Sequence, residues 1–145
     1  MKYVKSGMTV IALGLLALLS GCASVPLKNT VWVPERLENQ GDVRLVGDTP
    51  AWFEIGETGK VFGCSGVNRF SSQAVIEPEK GELSFTSGPV TRMAGPNLGY
   101  EKKFSETLNA VRRYSIHGDT LTVADGDGKV LGTFKAGAAE VKERK

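Results

Sequence analysis

The chain has 145 residues, 41% of them hydrophobic and 23% charged, with a formal net charge of +2. Two of its 18 basic residues, Lys2 and Lys5, fall in a leader without Asp or Glu, so from residue 22 onward 16 basic residues balance 16 acidic ones. A neutral body with no basic run excludes a polybasic nucleic-acid face, and a single domain of about 124 residues, large enough to bury a real core without disulfides, excludes a multidomain enzyme.

Residues 1–21 read as a signal peptide. Met1 to Lys5 is a short basic segment, and Met8 to Leu19 is an uncharged apolar stretch, shorter than the ~20 residues needed to span a bilayer as a helix. It ends in Leu19-Ser20-Gly21-Cys22, which is similar to the bacterial lipoprotein processing site. The resemblance implies cleavage before Cys22, thioether diacylation of its sulfur and acylation of the new amino group, which together anchor a chain stably. Ala23, rather than Asp, in the next position implies delivery to the outer membrane. Residues 22–29 are then the lipidated cysteine and a short tether. Six residues from Ser24 to Asn29 reach at most ~20 Å, which keeps the domain beside the membrane, facing the periplasm.

Within the body, Thr30 to Leu37 and Ala51 to Ile55 are β-branched and aromatic and predict strands. Gly41-Asp42 and Gly47 to Pro50 break the chain between them. Lys60 to Cys64 and Gln73 to Glu77 predict strands flanking a Gly- and Ser-rich bend, and Glu82 to Thr86 alternates. Tyr100, Phe104, Leu108 and Val111 then recur with the period of one helix face. Pro96-Asn97 marks the helix start, with Asn97 predicted to cap orphan backbone donors through its side chain. Ser115 to His117 and Thr120 to Val123 predict a hairpin across Gly118-Asp119, and Lys129 to Phe134 a last strand after Asp125-Gly126-Asp127-Gly128. The charged segment 136–145 reads as a solvated tail. This is an α+β fold: a small, strongly curved antiparallel sheet, closed or plugged by one packed amphipathic helix.

Catalytic sets are weak. His117 is the only histidine, so imidazoles cannot build a three-ligand zinc site. Asp125 opens a sequence like a calcium loop, but its fifth position is Lys129, where that loop needs an oxygen ligand. Cys64 is the only cysteine besides Cys22 and reads as a small buried thiol, and Glu54 with Glu57 reads as two strand-end carboxylates. No cofactor or metal site is predicted, nor any catalytic residue.

Two stretches stand out: Gly63-Cys64-Ser65-Gly66-Val67-Asn68-Arg69-Phe70-Ser71, and Thr91-Arg92-Met93-Ala94-Gly95-Pro96-Asn97 followed by Glu101 and Phe104. With Trp32 near the domain start and Leu121-Thr122-Val123 in the late hairpin, they resemble the META-domain family, the HslJ-like outer-membrane lipoproteins. The resemblance covers about residues 30–135. It implies a small cracked antiparallel β-barrel with one packed helix, similar to pilot lipoproteins that help secretins assemble. It also implies association with heat-shock and antibiotic-tolerance phenotypes, with no established catalytic activity. Many family members have a cysteine immediately before Asn-Arg and another after Thr-Arg-Met-x, where this chain has Val67 and Gly95. Their joint loss is expected if the two segments are neighbours and the cysteines act as a pair.

Five residues are candidate structural or partner-contact positions: Asn68, Arg69, Phe70, Thr91 and Arg92. In a scaffold role Asn68 forms a turn, Arg69 forks onto carbonyls or a carboxylate, Phe70 packs inward, and Thr91 and Arg92 close the loop before the helix. In a ligand role Arg69 and Arg92 form an anion clamp on one rim, for a phospholipid head group or a partner carboxylate. The functional expectation is a monomeric, non-enzymatic envelope lipoprotein that binds or assists another outer-membrane component. The alternatives are a carrier or sensor with an acyl chain inside the barrel, or an inhibitor of an envelope-attacking hydrolase acting through a protruding loop at Gln40 to Pro50.

Overall fold

The computed structural model describes residues 23–137. Cys22, the signal peptide and residues 138–145 lie outside that range. Eight strands run in chain order: β1 (Val31–Leu37), β2 (Ala51–Ile55), β3 (Lys60–Ser65), β4 (Arg69–Glu77), β5 (Glu82–Phe85), β6 (Arg113–His117), β7 (Thr120–Ala124) and β8 (Val130–Gly137). Each pairs antiparallel with the next, and β8 returns to β1, closing the barrel. One α-helix, α1 (Leu98–Ala110), connects β5 to β6. The closure is uneven. β1 and β8 share six residue pairs, whereas β5 and β6 share only one, Glu82 with Arg113. The helix covers the barrel where strand pairing gives out, so the crack expected of this fold is the β5–β6 seam.

Alternation sends every second side chain inward. Trp32, Phe53, Val61, Leu121, Val123 and Phe134 are fully buried, and the helix adds Tyr100, Phe104 and Leu108 from one stripe, with Val111 just beyond its end. Phe53, Phe104 and Phe134 meet edge to face, at 5.2 Å between Phe53 and Phe134 and 6.4 Å between Phe104 and Phe134. Aromatic rings in this arrangement gain from their quadrupoles as well as from burial. The interior that an acyl chain would need is therefore filled with side chains, as in other barrels of few strands. A smaller cluster of Val31, Trp52 and Cys64 lies apart from this core, on the other face of the same strands, with Cys64 a free buried thiol.

Three boundaries differ from the sequence reading. β4 starts at Arg69, not Gln73, because the β3–β4 turn takes only Gly66 to Asn68, and Cys64 pairs directly with Arg69. β8 continues through Ala136 and Gly137, which pair with Trp32 and Val31. The segment expected to be a free tether is docked from Ser24 onward. The Val25 amide donates to the Gly118 carbonyl at 2.9 Å, the Asn29 amide to the Ile55 carbonyl at 2.7 Å, and the Trp32 indole to the Leu27 carbonyl at 3.0 Å. Buried Leu27 belongs to the core, which explains why the segment folds back.

Successive turns of an up-and-down barrel alternate between its ends. With eight strands, both termini share one end with the short turns at residues 56–59, 78–81 and 118–119. The opposite end holds residues 38–50, 66–68, 86–97 and 125–129, of which 38–50 and 86–97 are long.

Candidate functional site

The two unusual sequence stretches meet at that opposite end, and buried Asn68 is what joins them. Its amide nitrogen donates to both Glu101 carboxylate oxygens, at 2.9 and 3.0 Å, and to the Met93 carbonyl at 3.2 Å. Its amide oxygen accepts the Met93 backbone N–H at 2.7 Å and the Thr91 hydroxyl at 2.9 Å. The side chain thereby uses its full hydrogen-bonding capacity. Its backbone closes the β3–β4 turn, where the Asn68 carbonyl accepts from the Ser65 amide and hydroxyl. Thr91 also receives the Arg69 amide at 3.0 Å, so the loop before the helix is an irregular continuation of the sheet, with Phe70 opposite Val90.

A second buried amide, Asn97, performs the same task nearby. It was expected to cap the helix, but it makes no side-chain cap bond. Its oxygen instead accepts the Val46 amide at 2.7 Å, and its nitrogen donates to the Val46 carbonyl at 2.8 Å. This pins the 38–50 loop across the barrel mouth, where Val43 and Leu45 pack on the core. Gly66, at φ +109°, approaches Leu45 so closely that a Cβ would stand 2.5 Å from its methyl. The loop expected to protrude at Gln40 to Pro50 is held at Val43, Leu45 and Val46, while Gly41, Asp42, Arg44, Gly47 and Asp48 remain exposed.

Phe70 packs as expected, with its ring edge-on to Phe104 at 5.9 Å. Room for it comes from Gly63, where a Cβ would meet the Phe70 ring and the Trp52 carbonyl oxygen at 2.5 Å. The arginines do not behave as scaffold residues. Arg69 and Arg92 are both exposed, and neither guanidinium has a hydrogen bond or ion pair among the described residues. The carboxylate that follows the second stretch, that of Glu101, is bonded by Asn68 instead. The same barrel end also exposes Val46, Val90, Met93 and Leu98.

Val67 and Gly95, the positions where the family resemblance implies a cysteine pair, are in contact. A Cβ built on Gly95 would lie 3.9 Å from the Val67 Cβ, within the spacing of disulfide-bonded cysteines. The Asp125 carboxylate accepts the Asp127 and Lys129 amides at 2.9 and 3.0 Å, so it is occupied in holding the β7–β8 turn. Glu57 is bonded by the Asn29 side chain, away from the network just described. Among the described residues no group of three His, Cys, Asp or Glu is arranged to hold a metal ion. Burial pushes the Tyr100 hydroxyl up to about 12, so it stays neutral on the buried stripe of α1.

The model of the META domain family matches residues 25–138. No curated protein sequence matches the chain. Among solved structures, a protein from Burkholderia xenovorans determined by NMR is 25% identical, over 77% of this chain and 84% of its own, with a TM-score of 0.58. A second NMR structure is also 25% identical, covers 76% of this chain and 91% of its own, and has a TM-score of 0.55. A protein of the DUF4847 family from Bacteroides vulgatus, 12% identical over 75% of this chain and 93% of its own, has a TM-score of 0.56 and shares the fold alone.

Proposed function

The chain belongs to the META domain family, and from that premise we propose that it is a lipid-anchored outer-membrane lipoprotein facing the periplasm, a non-enzymatic module that binds or assists another envelope component through the barrel end farthest from its anchor. The lipobox sequence at Leu19 to Cys22 supports the anchor. The observation that carries the reading is the docked N-terminal segment. Ser24 is held against the β6–β7 turn, where its hydroxyl donates to the Ile116 carbonyl and accepts the Gly118 amide, both at 3.2 Å. Cys22 is two residues from Ser24, so the chain between the anchor and that turn spans at most about 7 Å from Cα to Cα. The turn end of the barrel then faces the lipid, and Arg69, Arg92, Met93 and Leu98 face away.

This orientation favours a protein partner over a phospholipid head group of the same leaflet for the two free guanidiniums. Unpaired arginines among exposed apolar side chains form the composition typical of a protein interface. Two measurements test the reading. Cys22→Ser should abolish fatty-acid labelling and leave the leader uncleaved; unchanged labelling refutes the anchor. A photo-crosslinker at Asp119 in intact membranes should capture lipid, and one at Met93 should capture protein. Lipid adducts at Met93 would reverse the orientation and remove the proposal's basis.

A further inference from the structure

Between α1 and the wall formed by β4 and residues 86–90 lies a cleft of about 150 Å³. Its floor is Phe70, Phe85, Phe104 and Leu108, and its rim includes Ser87 on the loop with Ser105 and Asn109 one turn apart on the helix. Those two hydroxyls and the Asn109 side-chain amide have no hydrogen-bond partner among the described residues. No charged side chain is among the residues that line the cleft.

The cleft is built before any ligand arrives. The Ser71 amide donates to the Pro89 carbonyl at 3.0 Å, and the Thr86 amide to the Gln73 carbonyl at 2.9 Å. Gly88 lies so close to β4 that a Cβ would overlap the Ser71 carbonyl oxygen. The wall is therefore stitched to the barrel, and binding does not require ordering it.

We propose that this cleft binds one uncharged, hydroxyl-bearing aromatic ring, either the phenol of a tyrosyl side chain or that of a free small molecule. Size is the first reason. The volume is close to that of an engineered apolar cavity that takes up benzene, and it is too small for a fatty acyl chain. Chemistry is the second. Aromatic and aliphatic floor groups favour a ring, and three free polar groups at the rim can pair a single hydroxyl. Selectivity follows from the uncharged lining, because a carboxylate or ammonium entering it would lose hydration without gaining a counter-charge. The proposal goes beyond the envelope role and holds whether or not Cys22 is acylated.

The experiment is an NMR titration of the full mature chain with phenol, benzoate and benzylammonium, followed at the amides of Phe70, Ser87, Gly88 and Ser105. Phenol should shift these signals saturably in the millimolar range, and the two charged rings should not. Ser105→Trp, on the exposed side of the helix, should fill the cleft and remove the phenol response while leaving the melting temperature in place. If that variant does not fold, ring-to-protein NOEs from phenol to Phe104 in the wild type decide the location. A neutral peptide, acetyl-Gly-Tyr-Gly-amide, separates the sources: tighter binding than phenol assigns the cleft to a partner's side chain, and equal or weaker binding to a free small molecule. No saturable response to phenol or peptide, or equal binding of the charged rings, overturns the proposal. Neither result bears on the fatty-acid labelling of Cys22.

Discussion

The two ends of the barrel solve the same problem by different means. At the end holding the termini, short turns close the strands largely through backbone bonds, and Gly118 supplies the positive φ that a two-residue hairpin loop demands. At the other end two connections, 38–50 and 86–97, are long, and two buried side-chain amides, Asn68 and Asn97, hold them. A long connection over a barrel mouth leaves backbone groups that no ladder satisfies, and each needs a partner if it is to be buried. An asparagine, with both donors and acceptors, serves two segments at once. The unusual sequence motifs gather at that end because the polar accounting is hardest there.

The comparison can be tested from the largest effect downward. Truncating Phe104, whose ring joins the helix to Phe70 and Phe134, should cost about 3–5 kcal/mol in chemical denaturation; a smaller loss would mean that the helix end contributes less than the barrel wall. Introducing Val67→Cys together with Gly95→Cys should give a disulfide that stabilises by about 3–4 kcal/mol for a loop of this length. A thiol count of two new free sulfhydryls under oxidising conditions would contradict the contact between the segments.

Asn68→Ala comes next, with an expected loss of about 2–3 kcal/mol, because it leaves the Glu101 carboxylate and the Met93 backbone unpaired. Asn68→Asp has the same shape but should be no milder at neutral pH, since it sets a second carboxylate against Glu101. The double substitution Asn68→Ala with Glu101→Ala should cost less than the sum of the singles; strict additivity would break the pairing. The smallest effects belong to the arginines. Arg69→Ala and Arg92→Ala should each change stability by no more than about 0.5 kcal/mol, while capture of a protein by the Met93 crosslinker falls. A large drop in the melting temperature of Arg69→Ala would restore the scaffold role that its exposure argues against.

What the sequence makes legible follows from what repeats along it. The four apolar positions from Tyr100 to Val111 are buried as their spacing requires, and the alternating strands sit within a few residues of their predicted bounds. Period and alternation report burial directly. Side-chain-to-backbone bonds have no period. The Asn68 partner Glu101 lies 33 residues away, and Val46 lies 51 from Asn97, so nothing local links them. Arg69 was the more conspicuous residue in a motif where its plain neighbour carries the contacts. The start of β4 was hidden for a related reason: Ser71-Ser72 lacks the β-branched signal, although both pair fully with β3.

The single residue pair at the β5–β6 seam has a kinetic consequence. A ring of strands must part somewhere when it breathes, and the line of fewest bonds parts first. Here that line is fastened by the Leu83 amide on the Arg112 carbonyl and the Tyr114 amide on the Gly81 carbonyl, at 3.1 and 2.9 Å. Those two protons should exchange with solvent well before the amides shared by β1 and β8. The protein is thus a rolled sheet with its hem at β5–β6, and the helix beside that hem is the part whose loosening would expose the aromatic interior first.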